Sequence, residues 1–326
     1  MTAVTILAGG VGGARFAAGV RELARTEDLD ITIVVNTGDD LWLAGLRVCP
    51  DLDSVMYALG GVSDTSRGWG RSEETERVSA ELSAYGVGWP WFTLGDLDLG
   101  THIARTAMLK DGLSITEVTQ RLSARWDLGV RLLPATDDEV ETHVEIIRNN
   151  RTELIHFEEW WVRYRAEMPA NRFVHRAIEH AAASPAAMGA VESADIVLVA
   201  PSNPVVSIST ILSLPGMRDA LNRTSAPVIG VSPIIAGSPV RGMADVCLSV
   251  VGIESSAAAV GLSYGSRDTG GILDGWLVDR ADIDALPDLA AAGIASRAIP
   301  LWMTDPGATA VMVQAALELA ASVNVR

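Results

Sequence analysis

Near its start the chain carries Gly9-Gly10-Val11-Gly12-Gly13, and four carboxylates, Asp39, Asp40, Asp51 and Asp53, follow within fifteen positions of one another. Glycines between a strand and a helix leave backbone N–H groups open at the helix N-terminus, an arrangement that binds phosphate. Clustered carboxylates suit a hard cation such as Mg²⁺, although acids also serve as plain turn and helix-capping residues. Together the two patterns fit a phosphorylated or nucleotide-linked substrate, whose charge backbone amides and a cation would neutralise. The glycine run is not a dinucleotide fingerprint, because Arg15 stands where the third glycine belongs, and it lacks the Lys-Ser/Thr ending of a P-loop. Arg15 itself is either an anion contact in the first helical turn or a solvated cation.

Further along, Leu94-Gly95-Asp96-Leu97-Asp98 precedes Thr101-His102, a glycine turn with two acids before a helix start. His102 suits either a structural hydrogen bond or acid–base work. His143, His156, His175 and His180 have no metal-ligand spacing. Trp160-Trp161 beside Arg163 and Arg165 either stacks a flat ring or packs in a core. Pro201-Ser202-Asn203-Pro204 and Ser232-Pro233 end apolar runs, where hydroxyls and amides can orient a sugar, base or phosphate or simply make the turn. No nucleophilic Cys or His has a paired activating group at a readable spacing.

These residues need a scaffold that brings several loops to one edge. Residues 2–8 form an apolar, β-rich run that ends in the glycines, and residues 12–25 follow with helical spacing. Residues 31–35 are an uninterrupted β-branched run, as in a parallel strand covered on both faces, ending at Asn36-Thr37-Gly38-Asp39-Asp40. Helices are predicted at 51–59, 101–108, 114–126 and 207–214, and further buried strands at 194–200, 226–231 and 297–302. Residues 141–147 and 153–157 around Arg148-Asn149-Asn150-Arg151 predict a hairpin. The repeated order of strand, small polar turn and helix predicts an α/β, Rossmann-like, doubly wound and mainly parallel sheet with a smaller inserted α+β lobe. The core is expected over 1–130 and 190–326 and the lobe over 131–189.

Composition narrows the functions. Of 326 residues, 48 % are hydrophobic and 20 % charged, a globular balance with enough chain for a large core. The 41 acids exceed the 25 bases by 16, which repels nucleic acid and anionic membranes, so neither is an expected partner. An anionic substrate in such a chain needs a cation, local Arg residues or backbone N–H groups. Cys49 and Cys247 have no zinc-ligand spacing and are read as plain thiols. The N-terminal sequence has neither a basic n-region nor an apolar h-region, and the apolar residues 308–323 are interrupted by Gln314 and Glu318. A cytoplasmic location is expected.

In order, the motifs LAGGVGGARF (7–16), VVNTGDD (34–40), LRVCPDLDS (46–54), RGWG (67–70), LLPATDD (132–138) and ETHV (141–144) continue into EEWWVRYR (158–165), APSNPVVSI (200–208), SPIIAG (232–237) and MTDP (303–306). This string resembles the 2-phospho-L-lactate transferases of coenzyme F-420 biosynthesis, and most of all their actinobacterial phosphoenolpyruvate-using branch. The resemblance implies a homodimeric, Mg²⁺-dependent enzyme. It would move a phosphoenolpyruvyl or 2-phospho-L-lactyl group from a guanosine diphosphate-linked donor to the ribityl hydroxyl of the deazaflavin Fo, releasing GMP. Asp39 and Asp40 then match an acidic pair at the metal and phosphates, and Asp51 and Asp53 a segment that meets the deazaflavin. Gly10 to Gly13 and Asn203 would hold the donor. The candidate catalytic residues are Asp39, Asp40 and Asp51, with Asp39 and Asp40 as metal ligands. The candidate binding residues are Gly10, Val11, Gly12, Gly13, Asn36, Asp53, Thr93, Asp96, Ser202, Asn203 and Ser232. One departure stands out: Leu97 occupies a place where the family commonly has Arg, and Gly100 one often held by Ala, so another cation such as Arg15 or Arg67 would have to compensate. The competing readings are an NAD(P)-dependent oxidoreductase and a non-catalytic deazaflavin or nucleotide carrier.

Overall fold

The structure is a computed structural model that describes residues 1–240 and 242–323. Its centre is a sheet of seven strands, every neighbouring pair parallel. From strand Thr2–Ala8 the chain builds outward on one side through Leu29–Val35 to Arg131–Pro134. It then returns to the other side of Thr2–Ala8 and adds Ile196–Val199, Val228–Val231, Gly275–Asp279 and Ala295–Ile299 in turn. The doubly wound α/β fold read from the sequence is the fold observed. The direction reverses between Thr2–Ala8 and Ile196–Val199, and a parallel sheet opens a crevice at the carboxyl ends of two such strands.

Alternate residues of the central strands supply the two faces. Leu7, Val34, Val197 and Val199 join one apolar core, and Ile6, Ala8, Ile33, Val35 and Leu198 join the other. A strand buried on both faces cannot alternate apolar with polar, which is why these segments read as continuous apolar runs. Helix Gly10–Leu23 lies against the long C-terminal helix Pro306–Ser322. Gly19 is the point of closest approach, where a Cβ would overlap the Thr309 side chain and stand 2.9 Å from its carbonyl carbon.

The predicted hairpin forms between Glu141–Arg148 and Arg151–His156, with Asn149 and Asn150 both at positive φ (52° and 58°), the geometry of a tight two-residue turn. A third antiparallel strand, Ala170–Arg176, pairs with the other edge of Glu141–Arg148, and its sequence gave no clear alternation. Residues 131–134, assigned to the lobe from sequence, instead form the outer strand of the large sheet beside Leu29–Val35. Strand Gly275–Asp279 was not among the predicted elements, although Gly270-Gly271 before it and Asp274-Gly275 at its start are turn signals. The helix expected from 101 begins at Asp96, so the acids of the 94–98 turn lie in its first turn, where acids complement the helix dipole. Residues 207–214 divide into a π-helical turn, Pro204–Ile208, and a short helix, Ser209–Ser213. Both cysteines are buried and unpaired. Among the described residues no helix is long and apolar enough to cross a membrane.

Replacing Gly19 by Ala is expected to force the two helices apart and lower stability by about 1–3 kcal/mol. Denaturant unfolding would read this, and adding Thr309→Ser, which removes the overlapping methyl, should recover part of the loss.

Candidate active site

The crevice at the switch point is a cavity of about 510 Å³, lined at its base by Gly9, Gly10, Val11 and Gly12 and by Pro201, Ser202 and Asn203. Two strand ends meet here with almost no side-chain volume between them. The Gly9 N–H donates to Ser202 Oγ (3.0 Å), and that hydroxyl donates to the Gly9 carbonyl (2.8 Å). A Cβ at Gly12 would stand 2.8 Å from the Pro201 carbonyl oxygen, and one at Gly13 would stand 2.9 Å from Ser202 Oγ. Gly10 has φ +58°, a backbone setting that glycine adopts without strain. The glycines are thus needed for packing and for chain reversal. Gly13 serves the packing alone, since it does not line the cavity.

Helix Gly10–Leu23 has no side-chain cap and no acid in its first turn. Its positive end is met by Asp51, from the first turn of helix Pro50–Leu59. The Asp51 carboxylate accepts from the Gly10 N–H and from Ser207, and from Asn36 Nδ2 at 2.9 Å. Asn36 Nδ2 also reaches Asp39 Oδ2 at 3.2 Å, so one amide bridges two acids, while Asn36 Oδ1 accepts from the Gly38 N–H at 2.9 Å. Burial pushes the Asp51 carboxyl up to about 6, against these hydrogen bonds. Burial, with the charges of Asp51, Glu158 and Asp40, raises Asp39 well above the ordinary carboxylate value, and its Oδ1 is buried without a partner. Glu158 also faces the cavity, and burial beside Asp51 raises it to about 8.

Asp40, next to Asp39 in sequence, turns away from the cavity. It pairs with the buried Arg47 at 3.6 Å, and burial outweighs that cation to leave its carboxyl at about 7. Arg47 comes from the small hairpin of Leu41–Leu43 and Leu46–Val48, which follows directly on the acidic turn. The structure thus places the expected pair differently: Asp40 has an internal counter-ion, and of the two only Asp39 lines the cavity.

Helix Asp96–Lys110 supplies the next wall, with Asp98 and His102 facing the cavity one turn apart. Asp53 is ion-paired to the fully buried Arg105 of the same helix. Arg105 Nη1 also donates to His102 Nδ1 (3.0 Å), which leaves the proton of a neutral His102 ring on Nε2, 3.4 Å from Asp98 Oδ1. Tyr57 donates to the same Asp98 oxygen at 2.7 Å. Burial alone would raise Asp98, but the hydrogen bonds from His102 and Tyr57 and the Arg105 charge hold it below the ordinary carboxylate value. Asp53, Asp98 and His102 bring ligand-type atoms within 4.8 Å of one another. Arg105 already supplies a cation to that group.

Several other predicted residues fall away from the cavity. Asp96 holds Thr75 through its N–H (2.9 Å) and hydroxyl (2.7 Å). Ser232 closes a turn on Ile234, and Asn36 lies beneath the acids rather than beside the opening. Thr93, Asp53, Ser202 and Asn203 line the cavity, Asn203 with its Oδ1 capping the N–H groups of Val205 and Val206. Leu97 is exposed and is not a lining residue. Arg67 is engaged by Asp64, Glu74 and Glu76 and stacks on Trp69. Of the tryptophan pair, Trp160 is buried in the core and Trp161 lines the cavity with Trp69, Trp91 and Phe92. Tyr57, Asp98, Glu158 and these aromatic walls were absent from the predicted set. Asp98 and His102 were legible as an i, i+4 pair only if the helix was known to start at Asp96.

A parallel doubly wound sheet with a glycine-capped, acid-lined cleft at its switch point defines the class: an α/β enzyme with its cavity between two halves of the chain. The chain belongs to the 2-phospho-L-lactate transferase CofD family, whose model matches residues 4–292. It is 53 % identical over 321 residues to a phosphoenolpyruvate transferase of Streptomyces griseus, covering 98 % of this chain and 99 % of that one. It is 52 % identical over 326 residues to the phosphoenolpyruvate transferase of Mycolicibacterium smegmatis, covering 97 % and 98 %. A crystal structure of a UPF0052 family member from Bacillus halodurans shares the fold, with a TM-score of 0.64 at 16 % identity over 96 % of this chain and 98 % of that one. The protein is thus a transferase of this family.

The raised carboxyls carry a stability consequence. Groups whose folded pKa lies above the unfolded 3.8 or 4.5 stabilise at low pH and lose that contribution as pH rises through about 6, 7 and 8 for Asp51, Asp40 and Glu158. In chelator, the denaturation midpoint should fall between about pH 5 and pH 8.5. Glu158→Gln should flatten the upper part of that fall, and a midpoint that rises over the same range would contradict the assignment.

Proposed function

We propose that the protein transfers a phosphoenolpyruvyl or 2-phospho-L-lactyl group from a guanosine diphosphate-linked donor to the terminal ribityl hydroxyl of the deazaflavin Fo, with Mg²⁺, in coenzyme F-420 biosynthesis. The relatives named phosphoenolpyruvate transferase favour the phosphoenolpyruvyl donor. The observation that carries the reading is the meeting of the open Val11 and Gly12 turn with Asp39 and Asp51 in one cavity. Backbone donors and carboxylates side by side suit a diphosphate whose charge is shared between amides and a cation.

The residues fit such a cation. Asp39 offers a buried, partnerless Oδ1, and like charges around it favour either a proton or a metal ion there. Asp39 is the ligand we assign, in place of the Asp39–Asp40 pair. Mg²⁺ held by one protein carboxylate keeps room for substrate phosphate oxygens and waters, and it would polarise the phosphorus under attack. The Asp53, Asp98 and His102 group is not assigned a metal, because the Arg105 guanidinium occupies its charge-balancing role.

In the transfer, the acceptor oxygen forms a bond to the phosphorus nearer the enolpyruvyl or lactyl group, and the bond to the GMP phosphate oxygen breaks, GMP leaving with the electron pair. The acceptor's hydroxyl proton passes to Asp51, whose carboxyl at about 6 suits proton acceptance near neutral pH and whose orientation is fixed by Gly10, Asn36 and Ser207. Turn amides at Val11 and Gly12 orient the donor's phosphates. Trp69, Trp91, Phe92 and Trp161 give the cavity flat apolar walls for a ring system and exclude water from the reacting end. Family membership also makes a homodimer and a cytoplasmic setting part of this proposal.

Supplying Fo, each guanylylated donor and Mg²⁺ should give dehydro-F-420-0 or F-420-0 with GMP, identified by mass, and no product from either donor would refute the function. Asp39→Asn is expected to raise the Mg²⁺ concentration needed for half-maximal rate. Asp51→Asn should cut kcat by about 10²–10⁴ and remove the acid limb of the pH profile. Full turnover of either variant at limiting Mg²⁺ would remove that residue from its role.

A further inference from the structure

Glu74 takes no part in the chemistry above, yet its side chain is completely buried between two walls of the cleft. One oxygen, Oε1, accepts from Arg67 Nη2 at 2.8 Å and from the Arg71 backbone N–H at 3.1 Å. The other, Oε2, accepts from the Asp98 backbone N–H at 3.2 Å, in the first turn of helix Asp96–Lys110. That helix has Gly95 as its N-cap and no capping side chain of its own. Glu74 therefore serves as a cap borrowed from another segment, with its charge set against the positive helix end.

Two glycines make room for it. A Cβ at Gly95 would overlap the Glu74 carboxylate, and one at Gly70 would come within 2.5 Å of Oε1. Gly95 has φ −76°, open to any residue, so its lack of a side chain is explained by Glu74 and not by backbone strain. Around this contact the segments are tied in parallel. Thr75 and Asp96 exchange hydrogen bonds, and Ser79 and Leu94 do the same. The helix Arg77–Ala84 between these ties has no buried residue, so polar contacts rather than an apolar core hold the segment in place.

We propose that Glu74 is a positioning residue that fixes the distance between the Arg67–Gly70 wall, with Trp69 on it, and the helix that presents Asp98 and His102, thereby setting the width of the slot for the acceptor. Arg67 stacks on Trp69 at 4.5 Å, so the same carboxylate that caps the helix also anchors the cation that holds the ring. The link to the acceptor rests on the transferase reading above. The strut itself does not.

The test is a cycle of Glu74→Ala, Gly95→Ala and the double variant. Alanine at 95 expels the carboxylate without touching Glu74, and once residue 74 is alanine there is nothing left for it to strike. Each single change should raise the KM for the alcohol acceptor about tenfold while kcat and the donor KM stay within about twofold, and the double variant should be no worse than the worse single one. In ligand-free protein, hydrogen exchange at the Arg71 and Asp98 amides should accelerate together in either single variant. Unchanged exchange at those two amides overturns the strut. Additive kinetic effects, or an equal loss toward both substrates that follows only a lower melting temperature, overturn its role in acceptor binding. A wild-type chain that transfers nothing would refute the function alone, with the exchange result still deciding the strut.

Discussion

Four carboxylates from one short stretch are buried together at the mouth of a parallel sheet, and each burial has to be compensated. The surrounding elements are arranged around that requirement. The hairpin after the acidic turn brings Arg47 to Asp40, and helix Asp96–Lys110 brings Arg105 to Asp53. Asp51 is met by the open end of helix Gly10–Leu23 and by Asn36. Asp39 lines the cavity with only the Asn36 amide on one oxygen and no partner on the other, and no cation is paired with it among the described residues. Internal cations thus stand behind the cavity-lining Asp39 and Asp51.

The same arithmetic gives the glycine turn a different meaning from the usual phosphate loop. In a standard loop the helix N-terminus waits for an anion. Here a protein carboxylate, Asp51, already takes the first amide, and the turn is clamped by Ser202 from the strand across the switch point. What remains open is the edge formed by Val11 and Gly12, beside Asp39. A lone anion at this edge would meet Asp39, Asp51 and Glu158, which supports the proposal that the donor's phosphates arrive with a cation.

The wall opposite is held by polar ties more than by apolar packing. Glu74, Thr75 and Ser79 connect the 64–79 segment to the start of helix Asp96–Lys110, and Arg67 is bound by three carboxylates. Arg67 is consequently a structural cation, which explains why a cleft-lining Arg in an acidic protein is not by itself an anion site. The stacked pair Trp89 and Trp91, with centroids 4.7 Å apart, extends the same wall.

The doubly wound order, the position of the glycine turn, the hairpin at Asn149-Asn150 and the acidic character of the cleft all followed from the sequence, because apolar period, β-branched runs and turn residues act over a few neighbouring positions. The family was readable for a similar reason, since its motifs are the turns at the strand ends. The sequence reading took Asp39 and Asp40 as equivalent and named Asp96 instead of Asp98, although it is Asp98 that lines the cavity. Which of two neighbouring acids faces the ligand depends on where Arg47, Thr75, Tyr57 and His102 stand, and those partners arrive from distant segments. Local chemistry therefore determined that the site is an acid-lined edge of a parallel sheet. Only the tertiary structure decided which carboxylates are neutralised within the protein and which face the cavity without an internal cation, because compensation of a buried charge is a long-range contact that no local pattern records.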